Sequence, residues 1–462
     1  MTKPLNAIAA IVARVATLAL LSLAALAHAQ THEKTLANGM KVLVIEDRRA
    51  PTVVHMVWYR AGSIDEVNGR TGVAHVLEHL MFKGTRTLAP GEFSRRVAAM
   101  GGRENAFTSR DYTGYFQQIH KSRLAEVMTL EADRMANLQI TDDDFDREIK
   151  VVMEERRLRT EDRAQSQVFE QLMASSFVAS PVRAPVVGWM ADLQAMTVDD
   201  ARDWYRTWYA PNNAVLIVAG DVDAQAVFEL AERNYGKIAS RALPARKPQG
   251  EPEQRGVRRV WVKAPAENPS MLAAFKVPKL RDVERDVEPY ALEMLAAVLD
   301  LDENGRITRT LVRGSRVADQ AGVGYDMTSR GPTVFTISGT PARGRSTEEL
   351  ESALREQIRL IAENGVGEDE LKRVKTQYLA SRVYKRDSIF AQAMEAASLE
   401  VIGFSHADSD RILERIRAVS SQQVQEVARK YFGDDALTVA TLVPMPLPAA
   451  GARPAAPAGT RH

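Results

Sequence analysis

Thr197-Val-Asp-Asp-Ala-Arg-Asp-Trp-Tyr205, followed by Tyr209-Ala-Pro-Asn-Asn-Ala214 and Val215-Leu-Ile-Val218, has a counterpart near the other end of the chain. There, Ser420-Ser-Gln-Gln-Val-Gln-Glu-Val-Ala428 leads through Tyr431-Phe-Gly-Asp-Asp-Ala436 into Leu437-Thr-Val439. In both stretches a capped helix, an aromatic residue, a turn, an alanine and an apolar strand follow one another in the same order. Such a repeat indicates two copies of one fold, each of about 200 residues.

Around these two stretches, helical and strand patterns mix without regular strand–helix–strand alternation. This mixture favours the α+β class, with antiparallel sheets flanked by helices. We predict a first domain over residues 30–240, a proline-containing linker over 241–256 and a homologous second domain over 257–445. The remaining residues, 446–462, are rich in Pro and Ala, and we predict that they are disordered.

The composition excludes several classes of protein. Apolar residues make up 45% and charged residues 26% of the chain, which is ordinary for a globular protein. Lys and Arg number 61 against 60 acidic residues, so the basic excess expected of a nucleic-acid-binding protein is absent. Since the chain has no cysteine, a lipoprotein anchor, disulfides and metal sites built on thiolates are excluded. A metal site would have to use His, Asp or Glu.

The N-terminus predicts export. Lys3 and Arg14 precede the apolar run Val15–Ala27, and Ala27-His28-Ala29 has the small-residue pattern of a cleavage site. The run is shorter than the roughly 20 residues needed to span a bilayer. We therefore favour a cleaved signal peptide over residues 1–29, with an uncleaved N-terminal anchor as the alternative. The mature protein would be periplasmic or secreted, with no membrane span.

A polar triplet stands out within an apolar helix predicted over Thr71–Lys83. At about 100° per residue, His79 points about 40° from His75 and Glu78 about 60° the other way, so the three share one face. Two imidazoles at i and i+4 can ligate one zinc ion, and the carboxylate beside them can hold a zinc-bound water and take its proton. The competing interpretation is a solvated face or two histidines packed in a core. The apolar flanks argue against it, because unpaired buried charges are costly.

A catalytic zinc ion usually has three protein ligands, so a third must come from elsewhere in the chain. The helix predicted from Thr141 onward carries the adjacent acids Glu154 and Glu155. Helical geometry points Glu154 into solvent and sets Glu155 beside the apolar face, with Glu148 two turns earlier on the same edge. Glu155 is therefore the better ligand and Glu148 a supporting carboxylate, although both could be ordinary solvated acids. Arg156 falls on the apolar side of this helix, which the sequence leaves unexplained.

With these residues, the chain resembles the pitrilysin and mitochondrial-processing-peptidase family of zinc endopeptidases, whose motif has the order His-x-x-Glu-His. The resemblance extends over essentially the whole mature chain, more loosely in its second half. The matching segments are Gly72–Thr85, Gly101–Thr108, Glu148–Glu155 and Trp208–Val215, followed by Gly220-Asp221.

The resemblance implies one Zn²⁺ per chain, held by His75, His79 and Glu155. It further implies that Glu78 is the general base and that Glu148 supports the site. Asn105 and Ala106 would lie on an edge strand, where an extended peptide substrate adds as a β-strand. Together with the repeat, it predicts two homologous domains that face each other as a clamshell.

One departure from the family pattern concerns an Arg and, seven residues later, a Tyr, which grip the substrate and the oxyanion from a homologous half. The aligned positions hold Val312 and Asp319, and shifting to Arg313 places Gln320 seven residues on. Tyr325 lies twelve residues from Arg313 and does not fit. An oxyanion donor is worth roughly 3–4 kcal/mol, so we expect a homologous partner subunit, or a second copy in a homodimer, to supply the pair.

The sequence therefore predicts a zinc metalloendopeptidase that cleaves peptides or small unfolded polypeptides through a Glu-activated zinc-bound water, as one subunit of a dimer. The alternative is a non-catalytic assembly subunit of the same family. A nucleoside deaminase would need a Pro-Cys-x-x-Cys segment, which a chain without cysteine excludes.

Overall fold

The computed structural model describes residues 30–447. The predicted signal peptide, and the predicted tail from residue 448 onward, lie outside these residues. Two β-sheets organise the described part of the chain: a six-stranded sheet in the order β1-β2-β6-β3-β5-β4 and a five-stranded sheet in the order β7-β11-β8-β10-β9. The strands of the first sheet are β1 Gln30–Thr35, β2 Lys41–Glu46, β3 Thr52–Tyr59, β4 Arg103–Thr108, β5 Thr113–His120 and β6 Ala214–Gly220. Those of the second are β7 Arg258–Pro265, β8 Ser270–Val277, β9 Ala318–Gly324, β10 Thr333–Pro341 and β11 Leu437–Met445.

Fourteen α-helices accompany the sheets within residues 30–447. In the first half they are α1 Val73–Leu80, α2 Glu92–Ala99, α3 Leu124–Asn137, α4 Asp142–Arg156, α5 Ala164–Ser176, α6 Met190–Ala195, α7 Val198–Trp208 and α8 Ala224–Asn234. In the second half they are α9 Glu288–Asp300, α10 Thr347–Asn364, α11 Glu368–Lys385, α12 Ile389–Ile402, α13 Asp408–Ala418 and α14 Ser421–Tyr431. None of these helices is both long and apolar enough to cross a membrane.

The two sheets repeat one topology, as the sequence predicted. The order β2-β6-β3-β5-β4 of the first corresponds to β7-β11-β8-β10-β9 of the second. The predicted antiparallel pairing holds for every pair but one in each sheet, since β2 and β6 are parallel, as are β7 and β11. The parallel pairs arise because β6 and β11 return to their sheets after long helical connections, which parallel pairing requires.

Each sheet is covered on one face by a helix from the other half of the chain. Ala164, Val168 and Leu172 of α5 pack on the second sheet, in a cluster with apolar residues of β7, β8 and β11. Conversely, Ala393 and Ala397 of α12 lie against β2, β3 and β6 of the first sheet. Strand β6 is consequently buried on both faces, which accounts for its continuous apolar sequence. The exchange of helices holds the two halves together around the site described below.

The segment 241–256 has no regular secondary structure but is anchored to both halves. Glu251 accepts hydrogen bonds from the backbone of Val178, Ala179 and Ser180, and the Gln254 side chain donates to the Leu437 carbonyl. The division of the chain into domains at this segment stays a prediction.

Candidate active site

Helix α1, which carries the polar triplet, is held at its N-terminus by backbone contacts and a buried carboxylate. Gly72 precedes it with φ +90°, and a Cβ there would lie 2.5 Å from the Val187 carbonyl oxygen, so a side chain is excluded on both grounds. The buried Glu66 carboxylate accepts hydrogen bonds from the backbone N–H of Gly72 (2.8 Å) and Ala74 (2.9 Å). It thereby satisfies N–H groups that no side-chain cap reaches.

His75, His79 and Glu155 converge as the sequence predicted. The Nε2 atom of His79 lies 3.3 Å and that of His75 3.7 Å from Oε2 of Glu155. Candidate ligand atoms of all three residues fall within 4.8 Å of one another. Two ligand atoms about 2.1 Å from a tetrahedral centre would lie about 3.4 Å apart, so the separations fit a zinc ion. Two imidazoles and a carboxylate are also a donor set that zinc accepts.

Glu148 lies behind this group. Its Oε2 is 3.3 Å from Nδ1 of His79, and its Oε1 is 2.7 Å from the Lys83 ammonium. A carboxylate on the second ring nitrogen orients a metal-binding histidine and leaves Nε2 free for the ion. Glu155 accepts a further contact of 2.6 Å from Arg159, whereas the Glu154 side chain is 45% exposed and pairs with Arg157.

Arg156, unexplained by the sequence, reaches from the end of α4 to α5. Its guanidinium donates to both carboxylate oxygens of Glu170 on α5 (2.9 and 3.0 Å) and to the Gly188 carbonyl (2.9 Å). It is only 5% exposed. Arg156 therefore ties the end of α4, next to Glu155, to the helix that crosses to the second sheet.

The ionisation of two of the three converging residues suits metal binding. Burial, with repulsion from His79, lowers the pKa of His75 to about 4, so that its imidazole is neutral. Burial also disfavours the charged form of His79, but hydrogen bonds to Glu148 and Glu155 outweigh it and raise the pKa to about 9. Burial opposes ionisation of Glu155, yet the His79 contact and nearby cations lower its pKa to about 2. The group thus provides a neutral histidine and an ionised carboxylate at neutral pH, while His79 must release a proton to bind a metal.

Glu78 stands beside these residues and faces β4. Burial raises its pKa, against the opposing effect of a hydrogen bond from the Thr108 hydroxyl, which lies 2.5 Å from its Oε2. A carboxylate whose pKa is raised is a more effective base near neutral pH than an ordinary one.

The site opens into a cavity of about 1360 Å³. Asn105 and Ala106 lie on its wall, on β4, which is the edge strand of the first sheet as predicted. The backbone N–H of Ala106 donates to Oδ1 of its neighbour Asn105 at 2.9 Å. It points away from β5, because hydrogen-bonded pairs alternate along an antiparallel ladder and Ser109, three residues on, is in a hydrogen-bonded pair with Tyr112. The Ala106 N–H faces the open edge of the sheet, where a carbonyl oxygen of an added strand could accept its hydrogen bond.

The aligned stretch for the missing Arg and Tyr lies away from the cavity. Val312 belongs to a π-helical turn and Asp319 to β9, and neither lines the cavity. Arg313 pairs with Glu303, and the Tyr325 hydroxyl donates to the Pro278 carbonyl. Within the described residues, no tyrosine lines the cavity wall.

Several residues that complete the site were not predicted from the sequence. They are Thr108 at Glu78, Lys83 at Glu148, Arg159 at Glu155 and Glu66 at the start of α1. Thr108 and Lys83 fall inside the segments that carry the family resemblance, which is the one signal that could have pointed to them. Nothing in the sequence near Glu66 distinguishes it from a surface acid.

Comparisons with known proteins agree over both halves of the chain. The family model described as "Insulinase (Peptidase family M16)" matches residues 41–188, and "Peptidase M16 inactive domain" matches residues 195–378. The zinc protease PqqE of Helicobacter pylori is 29% identical over 433 residues, which cover 91% of this chain and 95% of that protein. The mitochondrial-processing peptidase subunit beta of Blastocladiella emersonii is 29% identical over 209 residues, 45% of each chain.

Solved structures show the same two-domain fold. The crystal structure of a protease from Helicobacter pylori superimposes with a TM-score of 0.85 at 27% identity, covering 90% of this chain and all of that one. Because the two family models together match most of the sequence, over residues 41–188 and 195–378, the protein belongs to peptidase family M16, the family of pitrilysin and the mitochondrial processing peptidase that its motifs resembled.

Proposed function

We propose that this chain is a zinc-dependent endopeptidase of the periplasm or of the secreted fraction, with one Zn²⁺ held by His75, His79 and Glu155. The observation that carries the proposal is the convergence of these three side chains beside a buried fourth, Glu78, at the wall of a large cavity. The names of its relatives as zinc proteases agree with it.

The chain's own residues would divide the work of peptide hydrolysis. Bound zinc would supply a Lewis acid that polarises the scissile carbonyl and acidifies a water molecule. Glu78 would take the proton from the attacking water and pass it to the leaving amine, while the Thr108 hydroxyl holds its carboxylate in place. Glu148 would orient His79.

The substrate would be an extended peptide or a small unfolded polypeptide. It would pair with β4 along Asn105 and Ala106, whose main-chain groups accept any sequence. The exposed apolar side chains of Val151, Leu158 and Phe169 line the same cavity and offer surfaces for substrate side chains.

We further propose that the working enzyme is a dimer, in which a homologous partner or a second copy supplies the Arg and Tyr missing here. The support is the absence of any tyrosine from the cavity wall over residues 30–447. Full peptidase activity in a chain that sediments as a monomer would contradict this part of the proposal.

The test compares three substitutions in the zinc-loaded chain, alone and with a candidate partner. Glu78→Gln should keep one zinc per chain and lose hydrolysis of an unstructured peptide, whereas Glu155→Gln should lose zinc. Glu154→Gln is the matched control, because it removes the carboxylate next to Glu155, which forms an exposed ion pair with Arg157. It should change neither the zinc content nor the rate of hydrolysis. Wild-type turnover in Glu78→Gln would refute the role of Glu78. A wild-type chain that binds zinc yet cleaves nothing with any partner would favour the alternative, a non-catalytic assembly subunit.

A further inference from the structure

The acidic side chains on the cavity wall already have partners. Glu148 pairs with Lys83, Glu155 with Arg159, Glu154 with Arg157 and Glu170 with Arg156, while Glu78 accepts from Thr108. Among residues 30–447, the cavity wall therefore offers no unpaired carboxylate to a cationic substrate.

Several cations on the same cavity wall, in contrast, are not paired with acidic side chains. Over the described part of the chain, Arg110, Lys150, Arg163 and Arg183 make no ion pair. Lys150 and Arg163 are exposed, where water solvates their charge, but Arg110 and Arg183 are half-buried. Withdrawing a guanidinium from water without an anion is costly, so these two sites gain most from an anionic ligand.

Arg110 and Arg183 use only a minority of their hydrogen-bond donors on the protein. Nε of Arg110 donates to the Val182 carbonyl, and one terminal nitrogen of Arg183 donates to the Val178 carbonyl. Nε of Arg183 is buried without any partner. Burial lowers the pKa of Arg110 more than the charge of the neighbouring Asp111 raises it, and the Asp111 carboxylate accepts its hydrogen bond from the backbone N–H of Arg330. Within the part of the chain that the structure describes, donors of both guanidinium groups thus have no protein acceptor.

The two arginines lie close to each other and close to the site. The Arg110 side chain contacts the carbonyl of the residue that precedes Arg183. Thr108 contacts Glu78, and Arg110 lies two residues after Thr108 in the chain. Two residues span at most about 7 Å. Arg110 and Phe169 line both the main cavity and a smaller one of about 460 Å³ that adjoins it between the two halves. A peptide leaving the site along β4 would pass this point.

We propose that Arg110 and Arg183 form a subsite that binds a carboxylate of the substrate two or three residues from the cleaved bond. The carboxylate belongs either to an acidic side chain or to the C-terminus of the peptide. The subsite rests on the proposed peptidase function and adds to it a preference for acidic peptides.

The experiment measures kcat/KM of the zinc-loaded full chain, with its partner where activity requires one, on internally quenched peptides. In a neutral background, Glu is placed in turn at each position within four residues of the cleaved bond and compared with Gln at the same position. Each peptide is made with a free and with an amidated C-terminus. Hydrogen bonds to charged groups predict a Glu-over-Gln ratio of about tenfold or more at one or two positions. A preference for the free over the amidated terminus would instead assign the carboxylate to the C-terminus.

Substitutions locate the effect. In Arg110→Met and Arg183→Met the ratio should fall towards one. Arg163→Met is the matched control, since it removes the same charge from the same cavity at an exposed position, and it should keep the wild-type ratio. Equal rates for the Glu and Gln peptides and for both termini in the wild type would overturn the subsite without any variant, as would an unchanged ratio in both arginine variants.

Binding separates this inference from the proposed function. The same peptides, labelled with a fluorophore, are titrated onto zinc-loaded Glu78→Gln. If the wild type cleaves no peptide, the proposed function fails. The ratio of Glu to Gln affinities then still decides whether the carboxylate subsite exists.

Discussion

Replacing Arg156 by Met tests whether the site depends on the connection between α4 and α5. Arg156 is 5% exposed and makes three hydrogen bonds, two to Glu170 and one to the Gly188 carbonyl. Methionine is also an unbranched side chain, but it lacks the N–H groups that donate these three hydrogen bonds. It leaves the Glu170 carboxylate, itself only 11% exposed, without its cation.

The expected loss is large because the charge left behind is buried. Breaking a buried ion pair by removing one partner costs about 3–5 kcal/mol. A chain of this length loses about 1 °C of Tm per kcal/mol, which gives a fall of about 3–5 °C. The adjacent Arg157 offers a matched control: its side chain is 46% exposed and pairs with Glu154, 45% exposed. Arg157→Met should cost less than about 1 kcal/mol, or about 1 °C.

The assay is thermal unfolding of the wild type and both variants under one set of conditions, with zinc content fixed. The double variant Arg156→Met/Glu170→Leu should regain much of the loss, because an ion pair replaced on both sides by apolar groups leaves no unpaired charge. Equal shifts in the two single variants would refute the reasoning. So would a double variant as unstable as Arg156→Met alone, since the cost would then not come from the stranded carboxylate.

Three further predictions concern the surroundings of the site. Thr108→Val should lower kcat with zinc content unchanged, and Thr108→Ser should restore it, if the hydroxyl positions Glu78; an effect on KM alone would contradict this role. Ala106→Pro removes a backbone N–H that β5 does not use, so KM for peptides should rise while Tm changes little; an unchanged KM would argue against strand addition at β4. Burial raises the pKa of Glu66 to about 8 from an ordinary value of 4.5. The protonated form of Glu66 therefore contributes stability at low pH, and this contribution is lost as the pH rises towards 8. The Tm of the wild type relative to that of Glu66→Gln should accordingly fall between about pH 4.5 and 8. A rise in this difference would show that the start of α1 favours the carboxylate.

The converging residues were predictable because helical geometry fixes side-chain directions from spacing alone. His75, Glu78 and His79 needed only the angle per residue, and the same argument separated Glu155, 16% exposed, from Glu154, 45% exposed. The absence of cysteine removed the competing ligand types. These inferences depend only on the geometry of a single helix and not on how the rest of the chain folds.

Contacts between distant segments were beyond the same reasoning. Thr108 meets Glu78 across thirty residues, and Arg156 finds Glu170 only because α5 turns back beside α4. Helix α5 was not predicted at all, since polar residues dominate its sequence, although Ala164, Val168 and Leu172 form a stripe at four-residue spacing. Strand β9, with two glycines and no apolar alternation, becomes a strand through its pairing with β10.

The exchange of helices leads to a last prediction, that the half with the metal ligands will not work alone. Residues 30–240 would carry α5 without the second sheet that buries Ala164, Val168 and Leu172, and would lack α12, which covers β6. Exposed apolar surfaces of this kind cause aggregation, and α5 is the element to which Arg156 fastens the Glu155 end of α4. We therefore expect residues 30–240 to aggregate or to bind zinc weakly, and co-expression with residues 257–447 to restore one zinc per complex. An isolated first half that binds one zinc tightly and unfolds cooperatively would show that Glu155 is positioned by its own half. If the isolated half does not bind zinc in this way, the second half of the chain is a structural part of the metal site, although it contributes no ligand to it.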